Sequence, residues 1–266
     1  MIRCAPGKRA RSRGFTLLEM VAVIVLLGVL AAGIGSFIKV GSQIYLDTSN
    51  REQLVASARF AVERLNREIR TALPNSVRVT LSGGRQCLEY TPSVTSAVYL
   101  DIPVAPETAS DQVSIARLFD ESLFNDSLRV AVYPLNPDDV YTNNNKLYDI
   151  KSGSSLNTVG DQSSITLSSA VTFAADSPTR RIFLIGGAVA YCVENAALWR
   201  HTGYGYTNLQ PDNAGVLMAK YVASSAPFHV NEASHLRNAT VTATLTFARD
   251  GDSMTFNTEV QIPNVP

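Results

Sequence analysis

Arg13-Gly14-Phe15-Thr16-Leu17-Leu18-Glu19-Met20 joins a short basic leader to a long apolar run, and its reading decides how the rest of the chain is organised. Before it stand Arg3, Lys8, Arg9, Arg11 and Arg13, with no acidic residue among them. After it, Glu19 is the one charge between Phe15 and Ile38. A helix over Phe15–Ile38 would span roughly 36 Å at about 1.5 Å per residue, enough to cross a bilayer. The next bases are Lys39 and Arg51, so the positive-inside bias keeps the leader in the cytoplasm and sends the C-terminal bulk across. An ordinary secretory signal loses its apolar segment on cleavage, and the small residues at Ala31-Ala32 offer such a site. Glu19 argues against it, because a carboxylate would interrupt the start of that region to no purpose. A lipid-bearing Cys4 fits less well still, since no apolar run precedes it. A cut after Gly14 would instead leave the helix on the mature protein.

A carboxylate in the bilayer needs a reason. Deep burial costs about 2.5–3.5 kcal/mol on insertion scales, and less near the edge. Glu19 falls in the first turn of the mature helix, where the helix dipole favours a negative charge. The new ammonium group on Phe15 of a neighbouring chain could complete the neutralisation, worth about 4 kcal/mol at roughly 4 Å and an effective dielectric near 20. The alternative is an edge charge that snorkels to the interface.

Beyond the membrane, Leu54, Ala58, Ala61, Val62, Leu65, Ile69, Ala72 and Leu73 recur at steps of three and four, with Arg59, Glu63, Arg67 and Arg70 between them. This is an amphipathic helix, stopped at Leu73-Pro74-Asn75. One nearly continuous helix of roughly 58 residues from Phe15 is expected at about 3.6 residues per turn. Gly28, Gly33, Gly35 and Gly41 are its weak points, suited either to close packing in the membrane or to local unwinding. After residue 75 the period turns to two. Ala239–Ala248 and Met254–Ile262 alternate around Arg249-Asp250-Gly251-Asp252-Ser253 and predict a hairpin. A second hairpin is expected over Ile182–His201, and a strand pair Val77–Leu81 with Gln86–Tyr90 around Ser82-Gly83-Gly84. Asn136–Ser169, rich in Asn, Asp, Ser and Gly, reads as long loops. The expected fold class is α+β, a long N-terminal helix on an antiparallel sheet. The expected divisions are a leader over 1–14, a transmembrane helix over 15–40, its amphipathic continuation over 41–74 and an exported β-rich domain over 75–266.

Lys and Arg number 23, as do Asp and Glu, but removing the five leader bases leaves 18 against 23 and a balance of −5. An acidic mature chain argues against nucleic acid as principal partner. Cys4 leaves with the leader, so Cys87 and Cys192 remain in an oxidising compartment, either bridged or as two buried thiols. His201, His229 and His235 lack metal-ligand spacing, and no CxxC, Walker loop or nucleophile elbow is present. Pro137-Asp138-Asp139 near Asn143-Asn144-Asn145 reads as a calcium-ligating or simply solvated loop. Trp199, Tyr204 and Tyr206 read as core packing or an exposed aromatic patch. Nothing here supports catalysis, a cofactor or a resident metal.

Gly14, Phe15 and Glu19 match residue by residue the class III signal of type IV prepilins and pseudopilins, which this N-terminus resembles. The resemblance implies a peptidase that cuts between Gly14 and Phe15 and methylates the new N-terminus, with Glu19 as an assembly contact. More specific are Ser57–Glu68, Ala72–Ser76, Cys87–Tyr90 and Val260–Pro266, which with the length resemble the minor pilin-like proteins of mannose-sensitive haemagglutinin (MSHA) pilus biogenesis. That implies a low-copy subunit working with major and minor pilins, a prepilin peptidase and the inner-membrane assembly platform. It would sit as a single-pass protein with its C-terminal domain in the periplasm, then at the base or tip of the pilus. A minor pseudopilin of type II secretion is the nearest alternative. A tip adhesin that binds glycan or surface and a membrane-tethered periplasmic enzyme stand further off.

Overall fold

The computed structural model describes residues 14–142, 145–206, 210–233 and 237–263. Residues 1–13 with Cys4, together with Asn143, Asn144, His235 and the last three residues of the tail, lie outside the described residues. The chain divides into two compact units, one ending at Glu52 and one starting at Gln53. The architecture is α+β: a long apolar N-terminal helix, α1 (Leu17–Ile69), followed by an antiparallel β-rich part.

In the first unit α1 is unbroken through Gly28, Gly33, Gly35 and Gly41, and a Cβ added at any of these would meet nothing within 4 Å. Its large apolar side chains, from Leu17 through Ile24, Leu30 and Phe37 to Leu46, are all exposed. Among the described residues this is the one helix long and apolar enough to cross a membrane.

In the second unit the stripe Leu54, Ala58, Ala61, Val62, Leu65 and Ile69 is buried, matching the step of three and four in the sequence. The helix ends at Ile69, short of the expected stop at Leu73-Pro74. Thr71 Oγ1 bonds the carbonyl of Glu68 at 2.7 Å, and the amides of Leu73 and Ser93 bond Thr91 and Thr71 at 2.7 Å each. Strand-like pairing to residues 91–93 thus captures the backbone before proline can stop the helix.

The strands follow in chain order. β1 (Arg78–Ser82) and β2 (Arg85–Tyr90) form the hairpin expected there, turning on Gly83 and Gly84 at φ 58° and 79°, which glycine adopts at little cost. Next come β3 (Ser93–Asp101), β4 (Ser110–Ala116), β5 (Arg129–Val132), the short helix α2 (Pro137–Tyr141), β6 (Leu147–Asp149), β7 (Asn157–Val159), β8 (Gln162–Val171) and β9 (Arg181–Ile185). The chain closes with β10 (Val189–Glu194), β11 (Ala197–Thr202), β12 (Val216–Lys220), β13 (Phe228–Asn231), β14 (Ala239–Arg249) and β15 (Asp252–Ile262).

Two expectations are corrected. Asn136–Ser169 is not a run of loops, since α2, β6, β7 and most of β8 lie there. Ser163 occupies an inward position beside Ile165 and Leu167, bonding Thr158 at 2.8 Å, and a buried serine disguises the period of two. The hairpin over Ile182–His201 is only β10 with β11, turning on Asn195-Ala196, while β9 pairs with β3 and β5 in another sheet. The β14–β15 hairpin runs in unbroken register from Ala239↔Ile262 to Arg249↔Asp252.

Three sheets result, β1-β2-β10-β11-β12, β13-β14-β15 and β6-β5-β9-β3-β4-β8-β7. The first two bury Leu65, Ile69, Tyr90, Tyr191, Leu245 and Phe247 in one core with residues 54–69 of α1. The third curls until Ile150 bridges Leu167, enclosing its own core around Ile115, Val130, Ile165 and Phe173. It is inserted between β2 and β10, which pair with each other. Cys87 and Cys192 stand opposite one another in that pairing, Cα atoms 4.0 Å apart, and are joined by a disulfide at the root of the insertion.

One carboxylate fixes the end of α1. Glu68 Oε1 accepts from Arg64 Nε at 2.8 Å, and Oε2 accepts from Tyr90 at 2.8 Å, Tyr191 at 3.0 Å and Arg200 Nε at 2.8 Å. Helix, β2, β10 and β11 therefore meet at a single side chain.

Candidate functional site: the N-terminal segment

Gly14, Phe15 and Thr16 precede the helix, and Thr16 caps it. The Glu19 amide donates to the Thr16 carbonyl at 3.1 Å and to Thr16 Oγ1 at 3.3 Å, and the Met20 amide donates to the same carbonyl at 3.2 Å. Thr16-Leu17-Leu18-Glu19 is the spacing of a capping box, with Glu19 in the first turn beside the positive end of the dipole. Sequence reasoning passed over Thr16, although Thr-x-x-Glu before an apolar run was the available signal. Among the described residues Glu19 forms no ion pair, and it is exposed together with Phe15, Leu17 and Leu18. A cut between Gly14 and Phe15 would place an amino group one residue ahead of the cap.

Residues 9–35 match the family model of the prokaryotic N-terminal methylation motif. The N-terminus is of the type IV pilin-like kind. No curated protein and no solved structure matches the chain. A pilin-like N-terminus implies processing by a prepilin peptidase and a setting of pilus assembly, and the apolar helix fits a membrane anchor of that kind.

The remaining candidates fall elsewhere in the second unit. Tyr204 packs on the Cys87–Cys192 cluster and donates to Glu89 at 2.7 Å, and Arg78 Nε bonds the other oxygen of Glu89 at 2.5 Å. Burial raises the Glu89 carboxyl above its ordinary range against the pull of those two donors. Tyr206 bonds the Gly186 carbonyl and lies 6.4 Å from Tyr141, with Arg129 over its face. Burial pushes its hydroxyl up to about 12. Trp199 is half-buried on β11 opposite Cys192. These aromatic rings pack on their neighbours rather than forming an open patch. Asp138 lies in the first turn of α2, and Asp139 pairs with Lys146 at 2.9 Å. Among the described residues no group of three or more His, Cys, Asp or Glu side chains is placed to hold a metal.

Proposed function

We propose that this chain is a minor pilin-like structural subunit for assembly of an MSHA-type type IV pilus, similar to MshO. A prepilin peptidase removes residues 1–14 and methylates Phe15. Residues 15–40 then hold the subunit in the inner membrane with residues 75–266 in the periplasm, until the assembly platform moves it into the filament with major and minor pilins. The methylation-motif match over residues 9–35 carries this reading, supported by Glu19 in a capped first turn on an exposed apolar helix. The narrower MSHA assignment rests on the resemblance of residues 57–68, 72–76, 87–90 and 260–266. The first three of these runs line the joint of α1 with β2.

Glu19 does its work between subunits. Glu19→Ala lowers the cost of the helix in lipid, so leader cleavage, insertion and folding should continue while incorporation into pili fails. Complementation of a strain lacking the protein, scored by surface pili and by processed subunit in membranes, tests this. Piliation at the native level would refute charge pairing with a neighbour. Identification of the subunits that co-purify with the membrane-extracted protein separates a pilus from a secretion pseudopilus.

A further inference from the structure

The outward face of α1 in the second unit is basic. Arg59, Glu63, Arg67 and Arg70 follow at steps of three and four, so they share one side of the helix, away from the buried stripe. All four are exposed, and among the described residues none of them forms an ion pair. Phe60 stands among these arginines and is 54 % exposed.

The inserted sheet carries the opposite charge. Residues 93–185 hold 6 Lys and Arg against 11 Asp and Glu, a balance of −5 that accounts for the whole acidic excess after residue 14. At one end of this sheet Phe119 is 108 % exposed and Val159 74 %. Ala116 and Val159 both pair with Gln162, and the Arg117 amide bonds the Asp161 carbonyl at 2.9 Å, so the two turns that carry these side chains stand together. The Phe119 turn is fixed by its own bonds. Asp120 accepts from the Ser122 amide at 3.0 Å and the Ser122 hydroxyl at 2.6 Å, and the Phe124 amide bonds the Glu121 carbonyl at 3.1 Å. A ring already held in place loses little freedom when another surface covers it. Around it Asp120 and Asp161 are exposed and form no ion pair among the described residues, while Glu121 pairs with Arg117 at 2.9 Å.

Both patches are bare within one chain, and each joins an apolar side chain to the charge that the other lacks. We propose that the Phe119–Val159 knob of one copy docks on the Phe60 face of α1 in a second copy, with Asp120 and Asp161 set against Arg59, Arg67 and Arg70. The apolar side chains form the covered centre, and the charges around it fix the register. The contact is heterologous, since it joins two different surfaces, so one chain keeps a free knob and the other a free helix face. An anionic lipid surface would repel the acids around Phe119, which sets the knob apart from a membrane anchor. The inference rests on the second unit alone and is independent of the pilin reading.

Photo-crosslinking of the full-length chain in a non-ionic detergent tests it. p-Benzoylphenylalanine in place of Phe119 should join residues 56–70 of an isotope-labelled second copy, the join being located by mass spectrometry. The yield should fall about tenfold between about 0.01 M and about 1 M salt, as the Debye length shortens from about 30 Å to about 3 Å. Arg67→Glu in the labelled copy, or Asp161→Lys in the probe-bearing copy, should each lower the yield about tenfold, and the two variants mixed should return to within about threefold of the native pair. Joins within one chain or outside residues 56–70, a yield indifferent to salt, or a mixture no better than either variant alone overturns the docking. Both substitutions fall at exposed side chains, and if either variant does not fold, the site of the join and the salt series on otherwise native chains decide.

Discussion

Replacing Glu68 by glutamine keeps the size of the side chain and removes the charge on which Arg64, Tyr90, Tyr191 and Arg200 converge. Burial raises that carboxyl, but the bonds from Arg200, Arg64 and Tyr90 outweigh it and hold the group at about 2 against an ordinary 4.5. A difference of that size is worth about 3.5 kcal/mol at roughly 1.4 kcal/mol per pH unit. The side chain of Arg64 is 34 % exposed and that of Arg200 20 %, so solvent screening brings the expected loss to about 1.5–2 kcal/mol. The sign follows from the lowered value: the stabilisation is complete above the unfolded value near 4.5 and fades as pH falls towards 2. Glu89 works the other way, since a raised carboxyl favours the folded state as pH falls, but it is present in both proteins and cancels in their difference. Urea unfolding of the full-length chain in detergent, followed by the fluorescence of Trp199, the only tryptophan, gives the comparison. Glu68→Gln should be less stable at neutral pH, and the gap should narrow steadily through the acid range. A neutral-pH gap below about 0.5 kcal/mol, or one that does not change in acid, would refute the account of how α1 is fixed.

Three further outcomes are expected. Gly14→Val should leave the leader attached, whereas mass spectrometry of the native protein should find a chain that begins at N-methylated Phe15; a mature start near Ala32 would rule out the pilin-like processing. The mature chain, unfolded without reductant, should present no free thiol, and Cys87→Ser should lower stability by up to about 4–5 kcal/mol for a loop of this length in the chain-entropy model, read from the urea midpoint. Gly215→Ala should cost about 1–3 kcal/mol because its Cβ meets the His201 ring, while Gly187→Ala, with nothing within 4 Å, should be close to neutral in the same assay.

The apolar helix and the methylation-motif character of the N-terminus were legible because their determinants are local: the order of charge and the length of the apolar run need no distant partner to be read. The Thr16 cap is as local but was passed over. The hairpins that turn on Gly83-Gly84 and Asp250-Gly251 were legible for the same reason, since alternation and turn chemistry lie within a few residues of each other. On the expectation that Cys4 leaves with the leader, Cys87 and Cys192 had only each other as bridge partners, and the structure joins them. What the sequence did not determine is where strands go once formed. That β9 leaves its neighbour β10 for β3 and β5, that β8 hides a strand beneath serines, and that a seven-stranded sheet is inserted between two paired strands were decided by the packing of separate cores. Glu68 and His201 read as a surface helix carboxylate and an unplaced histidine until Tyr90, Tyr191 and Arg200 close on one and Arg85 and Asn213 on the other. Those partners lie between 12 and 132 residues away along the chain, and only the tertiary structure brings together groups so far apart in sequence.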